Sequence, residues 1–263
     1  IKNNEITFSY PGEAIVSKGL SRNENVSDII HHYLDRFETS ESDFKFLNNG
    51  LFGFMSHESV KYFDSINIKN KDDFDIPDIY YGLYQNIIAI SQYNHEAHIF
   101  CNTINNSSNI RSIEAILNNK SYSVFNFSKE GKPESTITDK EYLEYVKKAK
   151  DHCKRGDVFQ LVLSRRFMQK FSGDEFNVYR ALRSINPSPY LVFLNLKKYQ
   201  IICSSPETMI NVKNNKVTLR PIAGTRRRGK NNEEDIKLKN DLLSDKKELA
   251  EHLMLVDLGR NDV

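Results

Sequence analysis

RPIAGTRRRG, at residues 220–229, and KELAEHLMLVDLGRND, at residues 247–262, are the two stretches that say most about this chain. A strand-like segment, residues 216–219, leads into the first stretch, and the second has the composition of a helix with two carboxylates near its start. Backbone amides and a hydroxyl at a Gly-Thr turn suit an anion, whereas carboxylates on one helix face suit a hard cation. The two stretches therefore predict a site for a carboxylate ligand that a metal ion chelates.

Composition limits the class of protein. Apolar residues make up 39% of the 263 residues, with 16 Phe, 13 Tyr and no Trp, which is typical of a soluble globular protein. No apolar run approaches the roughly 20 residues that span a bilayer. With 37 basic and 35 acidic residues the formal charge is +2, too balanced to indicate nucleic acid. Three widely spaced cysteines indicate reduced thiols, so we predict a cytoplasmic protein with no membrane or nucleic-acid partner.

The order of predicted elements gives the fold class. A capping box at Thr138 opens a helix that ends at Gly156. Further helices are predicted at 176–185, 233–243 and 246–258, and strands at 51–55, 80–90, 95–101, 158–167, 190–196, 200–203, 208–212 and 216–219. Helices set over a mostly antiparallel sheet make an α+β fold. The polar segment 118–137 predicts a linker, so we place a β-rich N-terminal part at 1–130 and a second domain at 131–263.

Several linked motifs carry a resemblance to a known family. The two opening stretches, together with GDVFQLVLSRR at 156–166 and SSPE at 204–207, resemble the chorismate-utilising enzymes, and among these the anthranilate synthase branch most closely. The resemblance is strong from about residue 140 to 263 and thin before that. It implies a two-sheet, four-layer α/β/β/α sandwich. It also implies that the family's catalytic His and a second metal-binding Glu follow residue 263, so we expect the chain to be C-terminally incomplete.

Glu248 and Glu251 are the candidate metal ligands. They are three residues apart and therefore share one helix face. Asp245 predicts an N-cap, which gives Glu248 a capping-box role as an alternative, and a solvated helix face is the alternative for Glu251. The resemblance implies Mg²⁺ as the cofactor, with Glu251 as one ligand and Glu248 as a supporting carboxylate.

Glu207 is the candidate general acid. It follows Pro206 at the end of an apolar strand, where partial burial would raise the pKa of its carboxyl above ~4.3 and keep it protonated. The resemblance implies that this carboxyl protonates the hydroxyl that leaves C4 of chorismate. An ordinary charge at a strand edge is the alternative.

Gln160, Ala223, Gly224 and Thr225 bear on the substrate and the nucleophile. Water-adding relatives carry a Lys at the position of Gln160; an amide cannot act as that base, which suits ammonia as the nucleophile. Relatives that aminate C4 carry a nucleophilic Lys at the position of Ala223. Gly224 and Thr225 match the family's chorismate-binding pair, with an ordinary glycine turn as the alternative.

Two further stretches have functional and structural alternatives. NPSPYL, at 186–191, resembles the segment at which anthranilate synthases bind tryptophan as a feedback inhibitor, which makes Pro189, Tyr190 and Leu191 candidate contacts. The structural alternative is that this segment only ends a helix. The N-terminal half of that inhibitor site is not found in the chain. The run Arg226–Arg228 is typical of a solvated loop, or of a phosphate or nucleic-acid contact, but no interleaved aromatic residues accompany it.

The resemblance predicts a function for the complete site. Chorismate and ammonia would give anthranilate and pyruvate, with ammonia supplied by a separate glutamine amidotransferase subunit. One alternative is component I of aminodeoxychorismate synthase. The other is a truncated, non-catalytic chain that only binds a partner or a ligand.

Overall fold

The computed structural model describes residues 1–21, 24–38, 44, 48–68, 74–103, 108–121 and 123–263. The chain divides into two compact units, Ile1–Tyr122 and Ser123–Val263. Across the described residues the strands form two-stranded antiparallel ladders, and helices accompany them in both units. This is the α+β class that the order of elements predicts. Within the same residues, every helix is too short or too polar to cross a membrane.

The first unit places a small apolar core among its strands. Ile6, Val26 and Ile79 are buried there. The prediction of one strand over 80–90 is wrong, because the chain forms two strands with different partners, one paired to the strand before it and one to the strand after it. In chain order the elements are β1 Glu5–Phe8, β2 Val16–Gly19, α1 Val26–Leu34, β3 Leu51–Met55, a 3-10 helix His57–Tyr62, β4 Ile79–Leu83, β5 Asn86–Ser91, β6 Glu96–Cys101 and α2 Ile110–Asn118.

The second unit contains every predicted site residue. Its α4 packs on the β9–β10 hairpin, where the rings of Phe176 and Phe193 meet edge to face at 5.0 Å. Its elements are β7 Phe127–Ser135, α3 Asp139–Arg155, β8 Phe167–Gly173, α4 Phe176–Ile185, β9 Tyr190–Asn195, β10 Gln200–Ser205, β11 Asn211–Lys213, β12 Lys216–Thr218, α5 Asn232–Ser244 and α6 Lys246–Asp262. The helices predicted at 176–185, 233–243 and 246–258 are confirmed, the last of them extending four residues further, to Asp262.

Helix α3 begins and ends where its local signals predict. Thr138 Oγ1 accepts a hydrogen bond from the Glu141 amide at 3.2 Å, and the Glu141 carboxylate accepts one from the Thr138 amide at 2.8 Å. These two amide bonds lower the cost of starting the helix. At the other end Gly156 has φ 78°, the left-handed conformation that favours glycine.

Two local predictions are wrong in this unit. The strand predicted at 158–167 is present only at Phe167, the first residue of β8. Residues 158–166 have no regular secondary structure, and the side chains of Phe159 and Val162 are 94% and 83% exposed. An apolar pattern does not make a strand without a neighbour to pair with, and in the described residues β7 pairs with β8 instead.

The polar segment predicted as a linker, 118–137, contains β7. Strand β7 is exposed along most of its length, so its sequence lacks the alternation that marks a half-buried strand. Its ladder with β8 is interrupted by an irregularity between Glu130 and Glu134, with Gly131 in the left-handed region between them. Only the pairing with β8 defines this strand.

Candidate active site

The Gly224–Thr225 turn lies against the junction of α5 and α6. Gly224 has φ 74°, which favours glycine. A Cβ added to Gly224 would lie 3.0 Å from Glu248 Oε2 and 3.0 Å from Leu242 Cδ1. The backbone conformation therefore favours glycine, and the side chains of Glu248 and Leu242 leave little room for a Cβ. The structure thus brings the predicted substrate-binding pair into contact with the predicted metal-binding helix.

Arg226 links this turn to both helices. Its Nε donates to Asp241 Oδ2 at 2.7 Å, and its Nη2 donates to Asp245 Oδ2 at 2.8 Å. Its Nη1 donates to the carbonyl of Thr225 at 3.1 Å and lies 3.8 Å from Glu248 Oε1. The hydrogen bonds to Asp241 and then Asp245 raise the pKa of Arg226 further, so this guanidinium is always charged.

Asp245 caps α6 while it binds Arg226. Its Oδ1 accepts hydrogen bonds from the backbone amides of Lys247, at 3.0 Å, and Glu248, at 3.3 Å. The Glu248 amide is the main cause of a lowered pKa for Asp245, and the Arg226 guanidinium is the second. The N-cap predicted at Asp245 is therefore present. The Glu248 carboxylate, however, extends toward Gly224 and Arg226, and the Asp245 amide donates to the carbonyl of Leu242.

The two candidate metal ligands have different surroundings. Glu248 is half-buried and lies beside a guanidinium, whereas Glu251, at the next turn of α6, is exposed. In the part of the chain that the structure describes, no residue forms an ion pair with Glu251, and no three His, Cys, Asp or Glu side chains gather into a metal-binding cluster. A hard cation takes six or more oxygen ligands. Of the two candidates, Glu251 is therefore the one whose carboxylate is accessible to a cation.

Glu207 lies just after β10, in a loop that is tied to the start of β9. Its side chain is exposed, so the partial burial predicted for it is not found, because β10 ends at Ser205 and Glu207 lies in the loop beyond it. The hydroxyl of the next residue, Thr208, lies 2.6 Å from the hydroxyl of Tyr190. Tyr190 also faces Ser205 in the β9–β10 ladder.

The candidate inhibitor segment is therefore a neighbour of Glu207. Pro189 and Tyr190 are exposed, and Leu191 is half-buried opposite Ser204. The hydroxyl of Ser204 donates to the carbonyl of Asn186 at 2.7 Å, which fixes the helix stop against the end of β10. Tyr190 and Ser205 are 15 positions apart in the sequence, and the pairing of β9 with β10 brings them together.

Gln160 remains apart from these groups. It is exposed and lies in the irregular segment 158–166. Among the described residues, no hydrogen bond or ion pair joins Gln160 to another predicted site residue. Ala223, immediately before the glycine turn, is half-buried and presents only a methyl group.

The arginine run differs from a basic patch. Besides Arg226, Arg227 forms an ion pair with Glu234, and Arg228 Nη2 forms one with Asp235 at 2.7 Å. Each guanidinium of the run thus has a carboxylate partner on α5 or at the start of α6. The acidic first turn of α5 is visible in the sequence and is the signal that could have predicted these ion pairs.

Comparison with known proteins identifies the family. Residues 3–263 match the family model described as chorismate binding enzyme. The chain belongs to this family. A crystal structure of anthranilate synthase component I from Streptococcus pneumoniae TIGR4 matches 100% of the chain with a TM-score of 0.73 and 30% sequence identity. The predicted family is therefore confirmed, as is the α+β class with antiparallel sheets.

Two relatives of this family represent different branches. Anthranilate synthase alpha subunit 2, chloroplastic, from Arabidopsis thaliana is 37% identical over 241 residues, which are 81% of this chain and 38% of that protein. Aminodeoxychorismate synthase component 1 from Bacillus subtilis (strain 168) is 36% identical over 246 residues, which are 89% of this chain and 52% of that protein. The chain also covers 60% of the Streptococcus protein. It spans about half, or less, of the curated relatives that it matches.

Proposed function

We propose that this chain belongs to component I of an anthranilate synthase, which converts chorismate and ammonia into anthranilate, pyruvate and water. The observation that carries the proposal is the packing of the Gly224–Thr225 turn against α6, in a chain that belongs to the chorismate binding enzymes. The backbone amides and hydroxyl of the turn suit a carboxylate group, and the exposed carboxylate of the neighbouring helix suits a cation that would bind the same group.

Each side of this arrangement has its own role in binding. The backbone and hydroxyl of Gly224 and Thr225 would hold a carboxylate of chorismate. Glu251 would be one ligand of Mg²⁺, and that ion, when bound, supplies positive charge to the same carboxylate. Glu248, held by Arg226, would act as a supporting carboxylate rather than as an equal ligand.

Glu207 is proposed as the general acid. As ammonia forms a bond to C2 of the ring, the bond from C4 to its hydroxyl breaks, and the Glu207 proton leaves with that hydroxyl as water. Glu207 is exposed in this structure, so substrate would have to cover the carboxyl to shield this proton transfer from water. Loss of pyruvate then gives the aromatic product.

Gln160 and Ala223 support this reaction over its neighbours in the family. The amide of Gln160 cannot take a proton from water, so isochorismate and salicylate are not expected as products. The methyl group of Ala223 cannot attack C2, so an enzyme-bound intermediate that directs the amine to C4 is not expected. Of these reactions of the family, addition of ammonia at C2 is therefore the expected one.

Aminodeoxychorismate synthase is the second candidate. The Bacillus subtilis relative matches 89% of the chain at 36% identity, so overall similarity does not separate the two branches. Ala223 favours the first, since a nucleophile is missing at that position. A non-catalytic chain that only binds a partner or a ligand is the third alternative.

The proposal extends to partners and place in the cell. A glutamine amidotransferase subunit would deliver ammonia, and the segment of Pro189, Tyr190 and Leu191 would contact tryptophan as a feedback inhibitor. Balanced charge and scattered cysteines support a cytoplasmic location without nucleic-acid or membrane partners. The domain division proposed near residue 130 places all of these site residues in one domain.

The test is to identify the product. The protein expressed from its complete reading frame is incubated with chorismate, Mg²⁺ and ammonium at alkaline pH, with a matched sample that contains a chelator. We expect fluorescent anthranilate and pyruvate in equal amounts, and only in the sample with the metal ion. A C4-aminated compound as the main product would assign the chain to the folate branch, and no turnover at all would favour the non-catalytic alternative.

A further inference from the structure

We propose that Arg226 is a positioning residue that sets the place of α6 relative to the Gly224–Thr225 turn. This inference rests on the proposed function, because it concerns the two halves of that site. Arg226 directly follows Thr225 in the chain. The groups that its side chain binds are therefore held close to the turn.

The contacts of Arg226 reach every part that must be aligned. One nitrogen donates to Asp241 near the end of α5, one to the N-cap Asp245, and one to the carbonyl of Thr225. The third nitrogen also lies 3.8 Å from the Glu248 carboxylate. The planar guanidinium presents its donors in a fixed fork, so these partners are held in one geometry.

Asp245 transmits this geometry into α6. One of its carboxylate oxygens binds Arg226, while the other accepts the amides of Lys247 and Glu248 at 3.0 and 3.3 Å. The first turn of α6 is thereby attached to the guanidinium through a single side chain. Because Glu251 lies on the next turn of the same rigid helix, its distance from the substrate turn is fixed by the same attachment.

The neighbouring arginines provide a matched control. Arg228 is in the same run and pairs with Asp235 by a hydrogen bond of 3.0 Å, but its partner is in the first turn of α5. Its side chain is 90% exposed, compared with 26% for Arg226. Removal of either guanidinium takes one positive charge from the run, but only Arg226 contacts α6.

The first measurement tests the positioning itself. Hydrogen exchange of the Lys247 and Glu248 amides is compared in the wild type, Arg226→Gln and Arg228→Gln proteins, each expressed from the complete reading frame. We expect faster exchange at both amides in Arg226→Gln and no change in Arg228→Gln. Equal exchange in all three proteins would overturn the proposal, whether or not the protein has the proposed activity.

The second measurement tests the consequence for the site. Misplacing reacting groups by about an ångström costs up to about 100-fold in rate, so we expect Arg226→Gln to lose about tenfold to 100-fold in kcat/KM. We also expect its KM for chorismate and its Mg²⁺ requirement to rise, with Arg228→Gln within about twofold of wild type. Lower thermal stability with unchanged KM and Mg²⁺ requirement would mean a merely structural role and would overturn the proposal.

Two further variants keep the test decisive if Arg226→Gln folds poorly. Arg226→Lys keeps the charge, but its single ammonium cannot hold all the partners, so an intermediate KM is expected. Asp245→Asn keeps an N-cap side chain but loses the charged partner of Arg226. Its effect should be less than additive with that of Arg226→Lys, because both act through one contact; full additivity would contradict the proposal. An inactive wild type would refute the proposed function instead, and the exchange measurement would still decide the role of Arg226.

Discussion

The hydroxyl groups of Tyr190 and Thr208 lie 2.6 Å apart. This contact joins the first residue of β9, within the candidate inhibitor segment, to the residue that follows Glu207. The loop that carries the candidate general acid is therefore attached to the segment proposed to contact tryptophan.

Tyr190→Phe and Thr208→Val each remove this contact while keeping the size of the side chain. We expect each to lower the free energy of unfolding by about 1 kcal/mol, the usual net value of a hydrogen bond. Since both remove the same contact, the double variant should cost no more than about either single one. Chemical denaturation of the four proteins measures this, and additive losses would mean that the hydroxyls do not interact.

Glu207→Gln should lose the chemical step and keep chorismate binding. An amide has no proton to give to the departing hydroxyl, and a general acid contributes about 10²- to 10⁴-fold in rate. The loss should appear in kcat, measured by anthranilate fluorescence, with the dissociation constant of chorismate nearly unchanged. Turnover within a few-fold of wild type would assign the proton to another group.

Glu251→Gln should weaken Mg²⁺ binding more than Glu248→Gln does. The Glu251 carboxylate is exposed and available to a cation, whereas the Glu248 carboxylate lies beside the Arg226 guanidinium, which repels one. Both variants keep the size and the fold of α6, so calorimetric titration with Mg²⁺ compares them directly. Equal affinities in Glu251→Gln and wild type would remove Glu251 from the metal site.

Gly224→Ala should be more destabilising than Gly131→Ala. Both glycines have left-handed φ values, 74° and 71°, and alanine in that region costs about 1–2 kcal/mol. A Cβ at Gly131 has nothing within 4 Å, but at Gly224 it meets Glu248 and Leu242 at 3.0 Å. The difference between the two melting temperatures therefore isolates this contact. Equal melting temperatures would show that α6 makes room for the added Cβ with no loss of stability.

The attachment of α6 should weaken in acid. The pKa of Asp245 is lowered in the folded chain, first by the Glu248 amide and then by Arg226, so its carboxylate contributes stability above its unfolded pKa of ~3.9. That stability is lost as the pH falls through the lower folded pKa. Asp245→Asn should therefore be less stable than wild type at pH 7, and the gap should narrow as the pH falls below the unfolded pKa and through the lower folded one. A gap that is constant with pH would exclude a role for the charge.

The sequence predicts the parts of this molecule whose signals are local. The ends of α3 follow from Thr138, Glu141 and Gly156, and the N-cap of α6 follows from Asp245, because each signal acts within one helical turn. The strand predicted at 158–167 fails because pairing depends on residues far away in the chain, and β7 is missed for the same reason.

The candidate site, too, is predicted by the sequence only in part. The Gly224–Thr225 turn and the carboxylates of α6 are visible as motifs, and the structure brings the two together. The role of Arg226 is not visible, since its partner Asp241 is 15 residues away and has no motif of its own. The burial expected for Glu207 depends on what covers the strand end, which spacing along the chain does not define.

The three arginines after the turn carry their own counterions, so the run adds little net positive charge to the surface. Their carboxylate partners lie on α5 and at the start of α6. At 0.1 M salt, charges more than about 10 Å apart are largely screened, whereas partly buried pairs such as that of Arg226 are screened much less. The three pairs therefore neutralise the run locally. On a cation-exchange column, we expect this run to contribute only weak retention, despite its three consecutive arginines.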